Sequence, residues 1–133
     1  MIIDVRKLKV LLIDDQSFIR STLSEILLQI GVKSIYQADS VQAGLVETMR
    51  VRPDLVFCDI HMPGEDGFVY VGEVRNSPMA GVASTVVIML TSDAGEEAVL
   101  TAKDLKVNGY LVKPVSINAV KRSMERALKA SLP

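Results

Sequence analysis

Short apolar runs alternate with amphipathic stripes along this chain, and few folds accept that alternation. The runs Val10-Leu11-Leu12-Ile13, Leu55-Val56-Phe57-Cys58, Val86-Val87-Ile88-Met89-Leu90 and Tyr110-Leu111-Val112 are too short for free-standing helices and read as buried strands. Ser34-Ile35-Tyr36-Gln37-Ala38 is more polar and suits a sheet edge. Between the runs, Ile19, Leu23, Ile26, Leu27 and Ile30 mark one face of a first helix that Gly31 can stop. Leu45, Val46 and Met49 mark a second, with Ser40 as its N-cap and Pro53 as its limit. Phe68, Val71 and Val74 mark a third helix, and Val99, Ala102 and Leu105 a shorter fourth. Ile117, Val120, Met124, Ala127 and Leu128 mark a fifth, capped by Ser116. Five strand–helix units in succession predict an α/β fold with a parallel sheet covered on both faces. Right-handed crossovers make 2-1-3-4-5 the expected strand order.

A chain of 133 residues suits one domain over 1–133, large enough to bury a core without a disulfide or zinc staple. Fifteen basic residues against sixteen acidic ones leave a net charge of -1, so no global surface for direct nucleic-acid binding is expected. Cys58 is the only cysteine, which excludes an intrachain disulfide and a cysteine metal cluster. His61 is the only histidine, which excludes a multi-histidine metal site and leaves a Ser-His-Asp hydrolase a single imidazole. The N-terminus lacks a signal-like apolar stretch, and the run from Val86 to Leu90 is far too short to cross a bilayer. A cytoplasmic protein without membrane insertion is the expectation.

Chemistry collects just after the strands. The first ends in Asp14-Asp15, the third in Asp59, the fourth in Thr91-Ser92 and the fifth in Lys113-Pro114. In an open parallel sheet, ligands bind beyond the carboxyl ends of the strands where the winding reverses, which for this order lies between strands one and three. Asp14, Asp15 and Asp59 should converge there, with Thr91 and Lys113 facing them. Three carboxylates in one crevice need a cation, or one must take a proton. The all-oxygen set suits Mg2+, and a carboxylate-held Mg2+ with open positions suits a phosphate-bearing ligand. Thr91 can donate to a phosphoryl oxygen, Lys113 can supply a positive charge, and a carboxylate is a possible acceptor.

These residues carry a resemblance. Leu12-Ile13-Asp14-Asp15, Asp59-Ile60-His61-Met62-Pro63 followed by Asp66-Gly67, Met89-Leu90-Thr91-Ser92 and Gly109-Tyr110-Leu111-Val112-Lys113-Pro114 stand in order, each at an expected strand end. From about Lys7 to Leu128 the chain resembles the receiver domains of two-component response regulators, among them the stand-alone chemotaxis type. The resemblance implies a flavodoxin-like (βα)5 fold and a phosphorylation-activated signalling switch that is no enzyme beyond its own phosphorylation and dephosphorylation. It implies that Asp59 is the phosphoacceptor. Mg2+ would be held by Asp15 directly, by Asp14 through water, by Asp59 and by the backbone carbonyl of His61. Lys113 would pair with the phosphoryl group, Thr91 would hydrogen-bond to it, and Tyr110 would change rotamer on activation. The Lys113–Pro114 bond would be cis. The implied partners are a histidine kinase or phosphotransfer protein and a downstream protein, bound through the fourth helix, fifth strand and fifth helix. The end of the chain at Pro133 favours a stand-alone protein over a receiver cut from a longer DNA-binding regulator.

The chain departs from the family's pattern at Gly44, where alanine is usual, and at Ser92, which is larger and more polar than usual. His61 and Asp93 occupy variable positions beside the site and are expected to tune the phosphoryl lifetime. Residue type alone leaves Tyr110 open between a fixed core aromatic and a switch. Cys58 reads as core, Met62 and Pro63 as loop, and Gly67 as the residue that permits the turn into the third helix. Lys121, Arg122, Arg126 and Lys129 read as the solvated end of the last helix. A small flavin protein would need a phosphate-binding loop after the first strand, where Asp14-Asp15 stands instead. An aspartyl phosphatase would need a substrate cap for which the length leaves no room.

Overall fold

The computed structural model describes residues 1–93, 95, 99, 101 and 103–133. A short 3-10 turn, Val5–Lys7, leads into β1 (Lys9–Ile13), followed by α1 (Ser17–Ile30), β2 (Ser34–Ala38), α2 (Val41–Val51) and β3 (Leu55–Asp59). A small hairpin of β4 (His61–Met62) and β5 (Glu65–Asp66) precedes α3 (Gly67–Arg75). Then come β6 (Val86–Thr91), β7 (Gly109–Val112) and a C-terminal helix (Ile117–Leu128). The sheet order is β2-β1-β3-β6-β7, and every neighbouring pair is parallel. The two hairpin strands apart, this is the expected 2-1-3-4-5 winding. β2 and β7 are the edges, and β2 is accordingly only half-buried over most of its length.

Strand alternation builds two cores. Val10, Leu12, Leu55, Phe57, Ile88 and Leu90 point to the face covered by Leu23 and Leu27 of α1 and by Val120, Met124 and Ala127 of the C-terminal helix. Leu11, Ile13, Val56, Cys58, Val87 and Met89 point to the face covered by α2 and α3. The near-continuous apolar runs follow from this, because a central strand of a doubly covered sheet is buried on both sides. Cys58 lies in the second core, where burial pushes its thiol well above the usual range.

Helix ends follow the expected chemistry. Ser40 and Ser116 accept hydrogen bonds from the amides of Ala43 and Ala119 at 3.1 and 3.2 Å. Gly31 ends α1 at φ +117°, a conformation that favours glycine. The buried face of α2 differs from expectation. It is formed by Val41, Gly44, Thr48 and Val51, while Val46 is 55% exposed. The reason is a buried hydroxyl pair: Thr48 Oγ1 donates to the Gly44 carbonyl at 2.8 Å and lies 2.7 Å from Tyr70 Oη of α3, so a threonine turns inward. Burial raises the Tyr70 phenol well above its ordinary range, keeping it a neutral hydrogen-bonding group. Gly44 is explained by Ile13: a Cβ at Gly44 would lie 2.5 Å from Ile13 Cδ1, so the isoleucine occupies the space of a methyl group. Ile117, expected on the buried stripe of the last helix, is 38% exposed at its first turn.

Of the fourth helical stripe, Val99 and Leu105 are described and Ala102 lies outside the described residues; Val99, Thr101, Lys103 and Asp104 are helical. At the end of the sheet away from the strand carboxyl termini, Arg75 Nη1 donates to the carbonyls of Ala83 and Thr85 at 3.0 and 2.8 Å. Its Nη2 donates to the Lys106 carbonyl and Asn108 Oδ1, both at 3.1 Å. One guanidinium thereby fastens the segments that enter β6 and β7. Among the described residues, no helix is long and apolar enough to cross a membrane.

Gly72 lies inside α3, and beyond its chain neighbours and its own helix backbone no heavy atom of the described residues lies within 4 Å of the place where a Cβ would stand. Gly72→Ala should therefore raise unfolding stability by about 0.5–1 kcal/mol, the helix-propensity difference without a packing penalty. Urea unfolding of the two proteins measures it, and equal midpoints would contradict it.

Candidate functional site

The carboxyl ends of β1 and β3 are neighbours, so Asp14, Asp15 and Asp59 meet as the connectivity requires. Their carboxylate oxygens lie within 4.8 Å of one another. Asp14 is fully buried, Asp59 is 4% exposed, and Asp15 is the most open of the three. Lys113, at the end of β7, crosses the cleft: its Nζ lies 2.9 Å from Asp14 Oδ2 and 3.4 Å from Asp59 Oδ2. The Lys113–Pro114 peptide is cis. The cleft has a volume of about 640 Å³, and its walls include Gln16, His61, Glu65 and Ser92.

Backbone contacts hold the carboxylates. The Gln16 amide donates to Asp14 Oδ1 at 2.9 Å, and the His61 amide reaches Asp59 Oδ1 at 3.4 Å. Arg20 Nη1 donates to the Asp14 carbonyl, and Arg20 Nε donates to Gln37 Oε1 at 2.9 Å, pinning the turn after β1 from the α1 side. Burial, and next the neighbouring Asp14 carboxylate, push the Asp59 carboxyl above its ordinary range; Lys113 and the His61 amide pull it down without cancelling the rise. An all-oxygen set with an anion excess in a half-closed crevice fits a hard divalent cation such as Mg2+. The residues present therefore fit the metal that the sequence implied.

Gly67 has a steric role in place of the expected conformational one. A Cβ there would stand 2.0 Å from the Asp59 carbonyl oxygen, so only a glycine lets α3 begin against the backbone of Asp59. Thr91 is fully buried, and its hydroxyl donates to the Asp93 carbonyl and accepts from the Asp93 amide, both at 3.0 Å. Tyr110 Oη donates to the same Asp93 carbonyl at 3.0 Å. Thr91 and Tyr110 are thus joined through one acceptor. His61 is exposed at the cleft, whereas the Asp93 carboxylate accepts from the Gly95 amide at 2.8 Å. Gln16, Arg20 and Glu65 were not singled out in the sequence. A residue two or six positions after an aspartate has no signal until the turn that folds it back is known.

The chain matches the response regulator receiver domain over residues 10–125. It is 33% identical over 124 residues to the probable chemotaxis protein CheY of Rhizobium etli, covering 93% of this chain and 95% of that protein. It is 30% identical to the transcriptional regulatory protein PdtaR of Mycobacterium tuberculosis, of which it spans 56%. The solved structure of the chemotaxis protein CheY4 of Vibrio cholerae superposes with a TM-score of 0.82 at 28% identity, covering 90% of this chain and 98% of that one. The winding, the acidic cleft between β1 and β3 and the matched model agree, and the chain belongs to the family of response regulator receiver domains.

Proposed function

We propose that this protein is a switch of the stand-alone chemotaxis or phosphorelay type, in which Asp59 accepts a phosphoryl group from a phosphohistidine partner. The observation that carries this reading is the placement of Lys113 Nζ between Asp14 and Asp59 at the mouth of a cleft formed by three carboxylates. Asp14, Asp15, Asp59 and the His61 carbonyl would hold Mg2+, which supplies charge neutralisation for the incoming phosphoryl oxygens. Asp59 Oδ attacks phosphorus as the phosphorus–nitrogen bond to the donor histidine breaks, and the imidazole leaves with a proton. Lys113 gives up part of its contact with the carboxylates and pairs with the new dianion. The partners are a kinase or phosphotransfer protein and a downstream protein in the cytoplasm. Receiver similarity within PdtaR supports a second reading, a receiver of a longer regulator; the mass of the protein isolated from its own cell separates the two.

Readout follows from the shared acceptor. If Thr91 donates to the phosphoryl group, the Asp93 carbonyl keeps, among the described residues, Tyr110, and the segment from Thr91 onward resettles. The output face is then residues 94–106, part of which lies outside the described residues, with β7 and the C-terminal helix. Hydrogen exchange with and without phosphorylation tests this: changes should concentrate in 91–110. Changes confined to α1 and α2 would contradict it. Tyr110→Ala should leave Asp59 phosphorylation largely intact and alter partner affinity.

His61 and Asp93 differ in what they can do to the phosphoryl lifetime. The His61 side chain stands at the cleft, whereas the Asp93 carboxylate is engaged by Gly95. His61→Ala should change the phosphate-release rate by about 10²-fold or more, because a group beside the acceptor can steer or block water. Asp93→Ala should change it less. Equal, unchanged release rates in both variants would reject control from these positions.

A further inference from the structure

We propose that Glu65 is a positioning residue for the metal side of the site, a role that rests on the receiver reading above. Glu65 lies on β5 opposite Met62 of β4, and Asp66 lies opposite His61. Its carboxylate borders the cleft that holds Asp15 and Asp59, but the clustered carboxylates among the described residues are Asp14, Asp15 and Asp59 alone. It turns instead to α2, where Oε1 and Oε2 accept from the Val41 amide at 3.3 and 3.2 Å. Val41 is the first residue of that helix, and its amide is one of those a helix start leaves without a partner. Ser40 satisfies Ala43 in the same turn, so Glu65 completes the cap from a distant part of the chain. A carboxylate is the favoured group at that end of a helix.

Asp66 does the same for the next helix, accepting from the Phe68 amide at 2.8 Å. Two consecutive acids therefore tie the hairpin to the starts of α2 and α3, while Gly67 presses against the Asp59 backbone. This hairpin carries His61, whose carbonyl is the one backbone group assigned to the metal. Glu65 is the only one of these ties that reaches α2. Without it the hairpin keeps its buried Met62 but loses this hydrogen bond to α2, and the His61 carbonyl must be ordered when the metal binds, which weakens binding.

The test uses the full chain and magnesium chloride alone, with no phosphoryl donor, and reads the Mg2+ concentration that half-saturates the rise in melting temperature. Wild type, Glu65→Ala, Glu65→Gln and Asp15→Asn are compared. Glu65→Ala should raise the half-saturating concentration by about 10-fold, the usual scale for a group that orients a metal ligand. Glu65→Gln, whose amide oxygen can still accept from Val41, should stay within about 2-fold of wild type. Asp15→Asn should abolish the response. A wild-type half-saturation in Glu65→Ala would overturn the proposal. So would a Glu65→Gln value as weak as that of Glu65→Ala, because charge and not position would then be the cause. A full Mg2+ response in Asp15→Asn would instead contradict the metal site itself.

Discussion

Asp59→Asn is expected to reduce acid-labile, hydroxylamine-sensitive phosphate on the protein to background. The substitution keeps the size and planarity of the side chain but removes the anion proposed to attack phosphorus. Asp14 cannot replace it, because its carboxylate is fully buried, accepts from the Gln16 amide and is paired with Lys113 at 2.9 Å. Asp15 is more open, but Lys113 has no contact with it. The same variant should be more stable than wild type when metal is absent. Wild type holds an anion there against both burial and Asp14, and the amide removes that cost. Labelling of the variant at the wild-type rate and at the same residue would contradict the assignment.

Withdrawal of Mg2+ by EDTA should stop phosphorylation of the wild type entirely, and the metal-free protein should show a particular pH dependence. The folded Asp59 carboxyl titrates above its unfolded value, so the folded state holds the proton more tightly. Its contribution to stability is complete below the ordinary carboxylate range. It is lost as pH rises through the raised folded value, and is flat above that. Asp4 and Glu47 are lowered by their hydrogen bonds to Arg6 and Arg50 and act in the opposite direction, so the informative quantity is the difference between wild type and Asp59→Asn. That difference should favour the variant increasingly as pH climbs from the ordinary carboxylate range through the raised folded value of Asp59. Saturating Mg2+ should reduce or reverse it if Asp59 is a ligand of the metal, as proposed. Melting curves across pH with and without Mg2+ measure both effects. A difference independent of pH and metal would show that Asp59 carries no uncompensated charge.

The five sheet strands, their order and the meeting of Asp14, Asp15, Asp59 and Lys113 were legible because they depend on periodicity and connectivity alone, whereas the buried Thr91 hydroxyl is bonded to Asp93. Patterns of two and of 3.6 residues are local properties, and the winding rule then places every strand end. What escaped depends on partners distant in the chain. The inward turn of Thr48 needs Tyr70, so a stripe drawn on hydropathy placed Val46 inside α2 when it faces out. The 61–66 hairpin has two-residue strands, too short for any alternation to register. Gly67 was singled out as a turn residue, but the contact that requires it is with the backbone of Asp59, eight residues earlier. The bond that engages the Asp93 carboxylate, from the Gly95 amide, likewise depends on a turn that spacing does not show. Glu65 carried no signal because its partner, Val41, begins a helix 24 residues earlier in the chain.

The most direct test of the account is to locate the phosphoryl group. The protein is incubated with a small acyl phosphate and Mg2+ and then reduced with borohydride, which converts an aspartyl phosphate to homoserine. Peptide mass spectrometry then identifies the modified position. Homoserine is expected at residue 59 alone, formed with Mg2+ and absent in EDTA. Modification at Asp14, Asp15 or another carboxylate, or equal modification of Asp59 without metal, would contradict it.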